Sequence, residues 1–216
     1  ENNKGYDNLI KIVSYGFKDG FYYKPRVDIE LLEKYHEGII ALSACLAGPV
    51  ARTIIRQSYD KGKEVALRYN NIFGENNFFL ELQDHMDGSV DQQTVNQSLM
   101  RMHQETGIPL VATNDCHYIS PEDAEAHDIL LCIQTNTTVD EADRMRYEGG
   151  QYYVKSPEEM YSLFPYAHQA CENTYKIAQR CNVEFEFGNY KLPVFDVPEG
   201  KTAVEYLSEL ALNGLK

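Results

Sequence analysis

The 216-residue sequence has no apolar run approaching the roughly 18 to 20 residues that a membrane-spanning helix requires. Its opening Glu1-Asn2-Asn3-Lys4 holds no signal-peptide core. A cytoplasmic protein with no membrane partner is therefore expected. Basic charge is scarce as well: 20 Lys and Arg stand against 33 Asp and Glu, for a formal net charge of −13. Phosphate-backbone binding relies on clustered Lys and Arg, so the chain alone does not read as a nucleic-acid grip, and any contact with DNA has to be local. The five cysteines, Cys45, Cys116, Cys132, Cys171 and Cys181, lack the spacing of a disulfide framework or a zinc ribbon, which points to a reducing compartment. Gly149-Gly150 stands without a Walker-type Lys-Ser/Thr, which removes an ATPase reading. A GxSxG elbow is missing, as is a Cys, His and Asn/Asp set with the context for acyl transfer. Phe21-Tyr22-Tyr23 and Tyr152-Tyr153 have no surrounding basic stripe and read as packing or a partner surface, not as base-stacking platforms. The absence of a starting Met leads to the expectation that the chain is a piece of a longer one.

What is present suffices for one sizeable core. Gly38-Ile39-Ile40-Ala41-Leu42-Ser43-Ala44 reads as a buried parallel strand, Phe78 to Leu82 as a second and Ile108 to Thr113 as a third. Between them, helical spacing runs from about Pro49 to Phe73 with a break near Ser58-Tyr59-Asp60. After a polar turn at Asp87-Gly88 it resumes from about Asp91 to Thr106, with Gly107 as C-cap. Ser120-Pro121-Glu122-Asp123 and Ser156-Pro157-Glu158-Glu159 carry helix-start chemistry, and a further helix is expected from about Tyr166 to Cys181. Val183 to Phe187 alternates apolar and acidic residues as an edge strand does, Leu192 to Gly200 reads as a linker, and a terminal helix starts near Thr202. This alternation of strand and helix predicts an α/β fold with a parallel sheet or barrel and helices outside it.

Ligands and catalytic groups collect where parallel strands end. The first strand runs into Cys45, the second into Gln83-Asp84-His85 and the third into Asp115-Cys116-His117. If strand geometry persists, Asp115 and His117 project to one side and Cys116 to the other. Carboxylate and imidazole together suit zinc, iron or manganese, and a thiolate favours zinc or iron. Set against this, a Cys after an apolar strand is usually a small buried hydrophobe, and short Asp-x-His motifs recur by chance. His127 reads as structural or peripheral, and His36, His103 and His168 receive no role.

Several blocks occur in one order: Gly5-Tyr6-Asp7-Asn8-Leu9, Lys24-Pro25-Arg26-Val27-Asp28, Gly38 to Leu46, Phe79 to His85, Val111 to Tyr118 and Tyr153 to Met160. As a set they resemble the PHP (polymerase and histidinol phosphatase) domain of bacterial DNA polymerase III alpha subunits, over nearly the whole chain. The resemblance assigns residues 1–190 to the later part of that domain and 191–216 to a linker and the start of the region leading to the polymerase palm. It implies a distorted (β/α)7 barrel whose strand ends hold divalent metal ions, with Cys45, Asp115 and His117 at ligand positions and His85 as a site neighbour. No catalytic residue is assigned. The family's opening His-x-His and further ligands would precede residue 1, and the magnesium-binding acids of the palm would follow Lys216. The activity implied is DNA synthesis by the parent, with metal-dependent 3′–5′ exonuclease or phosphoesterase chemistry at the PHP site. The alternatives are a non-catalytic scaffold that docks a separate proofreading exonuclease, or a free-standing PHP phosphatase. Partners implied are DNA, the exonuclease, the sliding clamp and other replisome subunits.

Overall fold

The computed structural model describes residues 1–86, 88–190 and 192–215. Asp87 of the expected Asp87-Gly88 turn, and Lys191 and Lys216 of the expected linker and tail, lie outside them. The chain divides into two compact units, Glu1–Val183 and Glu184–Lys216.

The first unit starts with α1 (Asn3–Lys18), whose N-cap Asn2 accepts a hydrogen bond from the Gly5 amide, and α2 (Ile29–Tyr35), capped in the same way by Asp28. α1 lies so close to the turn before the first strand that a Cβ on Gly5 would stand 1.9 Å from the Gly38 carbonyl oxygen; Gly38 itself has φ +76°. The strands β1 (Ala41–Leu42), β2 (Phe78–Leu82) and β3 (Leu110–Ala112) pair in parallel in the order β1-β2-β3, with Ala41 opposite Phe78 and Glu81 opposite Val111. Among the described residues this is an open mixed α/β arrangement around a small parallel sheet. Helices α3 (Pro49–Arg56) and α4 (Tyr59–Phe73) connect β1 to β2, and α5 (Val90–Thr106) connects β2 to β3.

Alternation along β2 decides what each side of the sheet buries. Phe78, Leu80 and Leu82 project toward the helices and are almost fully buried, against Ala66 of α4 and the Val95, Leu99 and Met102 stripe of α5. Each such side chain contributes about 1.5–3 kcal/mol relative to exposure. Phe79 and Glu81 face the other way. Beyond β3 come a 3₁₀ turn (Pro121–Asp123), α6 (Ala124–Thr135), α7 (Pro157–Leu163) and α8 (His168–Arg180). Phe164 and Ala170 complete the helix-side core, and Asn173 of α8 donates to the Leu110 carbonyl at 2.7 Å.

The expected break near Ser58 is present, with Ser58 capping α4; Gly107 closes α5 at φ +74°, and capping boxes start the turn at Ser120 and the helix at Ser156. The first strand is much shorter than Gly38 to Ala44, because left-handed backbone at Gly38 and Ala44 (φ +64°) ends the pairing on both sides. The edge strand expected over Val183 to Phe187 is not formed. Those residues are irregular, and Phe187 is 91% exposed: alternation supplies a surface for pairing, but no described strand lies beside it. The second unit carries α9 (Ala203–Gly214), started by a Thr202–Glu205 capping box. No helix among the described residues is long and apolar enough to cross a membrane.

Candidate functional site

The polar side of the sheet is organised by Glu81. Its carboxylate accepts a hydrogen bond from the Ala44 amide at 2.8 Å and another from the Thr113 hydroxyl at 2.6 Å, which ties together the ends of all three strands. The Ser43 hydroxyl accepts from the Glu81 amide at 2.8 Å, and Gln83 donates to Thr113 at 3.2 Å. Hydrogen bonds to an ionised acceptor are the strong ones, so Glu81 sets the spacing of the strand ends. An acid inside the apolar run Phe78-Phe79-Leu80-Glu81-Leu82 was the available sequence signal for it.

Beyond β3, a second layer is stitched on. Asn114 donates to the carbonyls of Gln151 (2.8 Å) and Tyr153 (2.7 Å), the His117 amide donates to the Tyr152 carbonyl at 2.7 Å, and Tyr118 forms a parallel bridge with Tyr153. The Gln83 Oε1 and Asn114 Oδ1 atoms are buried and have no hydrogen-bond partner among the described residues.

Asp115 does not continue the strand. It takes φ +47°, a left-handed conformation open to Asp at modest cost, so the alternation that would send Asp115 and His117 to one side is lost. The two are joined instead through the backbone: His117 Nδ1 lies 2.6 Å from the Asp115 carbonyl oxygen. A carbonyl only accepts, so Nδ1 is the donor of this contact, which leaves Nε2 as the ring nitrogen turned away from it. Cys116 is exposed, its thiol directed at the Tyr153 carbonyl at 3.4 Å, and Cys45 is a half-buried free thiol. His85 is buried, stacked on Tyr152 with centroids 4.0 Å apart, and its Nε2 faces the Asn114 carbonyl at 3.3 Å.

Tyr147, which the sequence did not single out, links these residues. Its ring lies 4.2 Å from that of His117, 4.8 Å from Tyr152 and 5.4 Å from His127. Burial pushes its phenol above the ordinary tyrosine range, and the charges of Asp115 and Cys45 push it further. Cys45 and Asp115 therefore both lie within electrostatic reach of one hydroxyl. His127, expected to be structural or peripheral, packs 5.5 Å from His117 and 5.4 Å from Tyr118. Nearby, burial lowers the pKa of Lys155, whose ammonium lies 4.0 Å from the centre of the Tyr153 ring.

The donor types match a borderline metal such as zinc, iron or manganese. Their number does not make a cage: among the described residues no group of three or more His, Cys, Asp or Glu side chains converges to hold an ion.

The PHP domain family matches residues 1–85. DNA polymerase III subunit alpha of Borreliella burgdorferi is 43% identical over 100% of this chain and 19% of its own length. The same subunit of Thermus aquaticus is 41% identical over 98% of this chain and 18% of its own length, and that of Deinococcus radiodurans 40% identical over 94% and 16%. The chain thus spans about a fifth or less of these relatives, and along nearly its whole length it is similar to a segment of DNA polymerase III alpha subunits, with a PHP-domain match in its first 85 residues.

Proposed function

We propose that the chain is the later part of the PHP domain of a replicative DNA polymerase alpha subunit, and that its strand-end face contributes to a divalent-metal site for phosphodiester hydrolysis at DNA 3′ ends. In this reading the sheet is one arc of a distorted (β/α)7 barrel, DNA synthesis belongs to the longer protein, and the exonuclease, clamp and other replisome subunits are its partners. Residues 1–190 belong to the PHP domain and 191–216 lead toward the palm, whose acids would hold magnesium. The observation that carries the reading is the place of Asp115 and His117 just beyond β3, at the carboxyl end of a parallel sheet, with His117 Nδ1 2.6 Å from the Asp115 carbonyl oxygen and the Tyr147 ring 4.2 Å from that of His117.

A metal bound there would lower the pKa of a water and neutralise charge on the phosphoryl group. The residues of this chain do the rest. His117 Nδ1 donates to the Asp115 carbonyl and so orients Nε2, Glu81 fixes the spacing of the strand ends, and the rings of Tyr147 and Tyr152 flank that of His117. His85 is the site neighbour held against Tyr152.

A second reading, a docking scaffold for a separate exonuclease, is favoured by the lack of three converging donors among the described residues. A 3′-exonuclease assay on the intact subunit, wild type against Asp115→Ala, separates the two. The catalytic reading expects cleavage to fall at least 100-fold while polymerization persists, on the order of the loss seen when a metal site is disrupted. Metal bound with no Asp115-dependent cleavage selects the scaffold.

A further inference from the structure

We infer that the part-buried Asp128–Arg144 ion pair is a positioning device that holds Tyr147 and His127 against His117 at the strand-end site.

Arg144 lies in the connection between α6 and Tyr147. Its Nη1 and Nη2 donate to the two carboxylate oxygens of Asp128, each at 2.6 Å, and the Arg144 side chain is only 4% exposed against 33% for Asp128. The geometry is the two-pronged one that fixes direction as well as distance. Arg144 Nε is buried and has no hydrogen-bond partner among the described residues. A buried guanidinium with an unpaired N–H is a poor way to gain stability, since desolvation offsets the attraction. It is a good way to fix a loop in one place.

The rest of the connection has little else to hold it. Val139 and Met145 are half exposed, and its other polar contacts lie within it or at its root on the end of α6: the Thr138 amide donates to Glu141 at 2.9 Å, Arg146 donates to the Glu141 carbonyl at 3.3 Å, and the Thr137 amide donates to the Cys132 carbonyl at 3.0 Å. The clamp joins the two elements that supply the ring cluster. Asp128 follows His127 on α6, and Arg144 precedes Tyr147 by one short step of chain. Across that junction the His127 and Tyr147 rings lie 5.4 Å apart, and both flank His117. Releasing the clamp frees the loop to carry Tyr147 away from the His117 ring.

The inference deepens the proposed site and gains its functional meaning from it, but the test reads geometry alone, so failure of one does not decide the other. The imidazole Cε1–H resonances of His117 and His127 sense the Tyr147 ring current and are recorded by NMR on the chain. Tyr147→Leu defines their positions with that ring gone. Asp128→Asn and Arg144→Met are expected to move both resonances most of the way to those positions while the amide signals of Leu80 and Val111 stay in place. The exchanged pair, Asp128→Arg with Arg144→Asp, is expected to return them at least in part. Should either single variant unfold, Arg144→Lys, which keeps the charge and loses the fork, is read in its place. Unmoved His117 and His127 resonances in a folded clamp variant overturn the inference.

Discussion

The two sides of β2 are built from alternate residues of one strand, yet they do opposite work. Phe78, Leu80 and Leu82 enter an apolar core that needs no precise partner, whereas Glu81, Gln83 and the residues beyond β3 form a network of directional hydrogen bonds. Burial on the helix side is non-directional and scales with area. Order on the strand-end side depends on single hydrogen bonds, so it contributes less stability and more geometry. A fold can tolerate errors on the first side by repacking. On the second, one lost group displaces a site.

Leu80→Ala breaks the comparison hardest if it is wrong. The side chain is fully buried, so the substitution is expected to cost about 2–5 kcal/mol in urea unfolding. A cost under 1 kcal/mol, on the scale of a surface change, would mean that the helix side is not the main source of stability. Gly5→Ala comes next. Its Cβ would meet backbone at the Gly38 carbonyl, and the expected penalty is about 1–3 kcal/mol, seen as a lowered unfolding midpoint. On the polar side, Thr113→Val removes one hydroxyl bond to Glu81 and is expected to cost about 1–3 kcal/mol, near the low end, because Glu81 keeps the Ala44 amide.

The smallest effect sharpens the comparison on the outer surface of the helix side. Glu105 of α5 accepts from Lys63, Tyr59 and Arg101, in that way clasping α4 to α5, and these bonds hold its carboxyl down at about 2. With the folded pKa depressed, the unfolded chain binds the proton first. The clasp's contribution is complete above the unfolded carboxylate range near pH 4.5 and is lost as pH falls toward 2. Glu105→Gln is therefore expected to flatten the acid limb of a stability profile between those values and to leave the strand-end signals of His117 unmoved.

Local chemistry explains what the sequence made legible. Caps at Ser58, Ser156 and Thr202, the left-handed stop at Gly107 and the apolar run of β2 act within a few residues, and each stands where its pattern placed it. The rest depends on partners remote in the chain. Val183 to Phe187 has the alternation of a strand and no described neighbour to pair with, and Asp115 turns left-handed where alternation alone would continue β3. Tyr147 and His127 reach His117 through the Asp128–Arg144 pair, a contact with no periodic signature. Asp115 and His117 were legible as donor types at a strand end. That they are bound to one another through a backbone carbonyl was not.

The proposed metal site is tested most directly by the divalent-metal content of the intact alpha subunit, measured after equilibration with manganese or zinc for wild type and for Asp115→Ala and His117→Ala. The account predicts stoichiometric metal in the wild type and a loss of at least about tenfold in affinity in each variant. Equal metal content in all three proteins at limiting metal would contradict it.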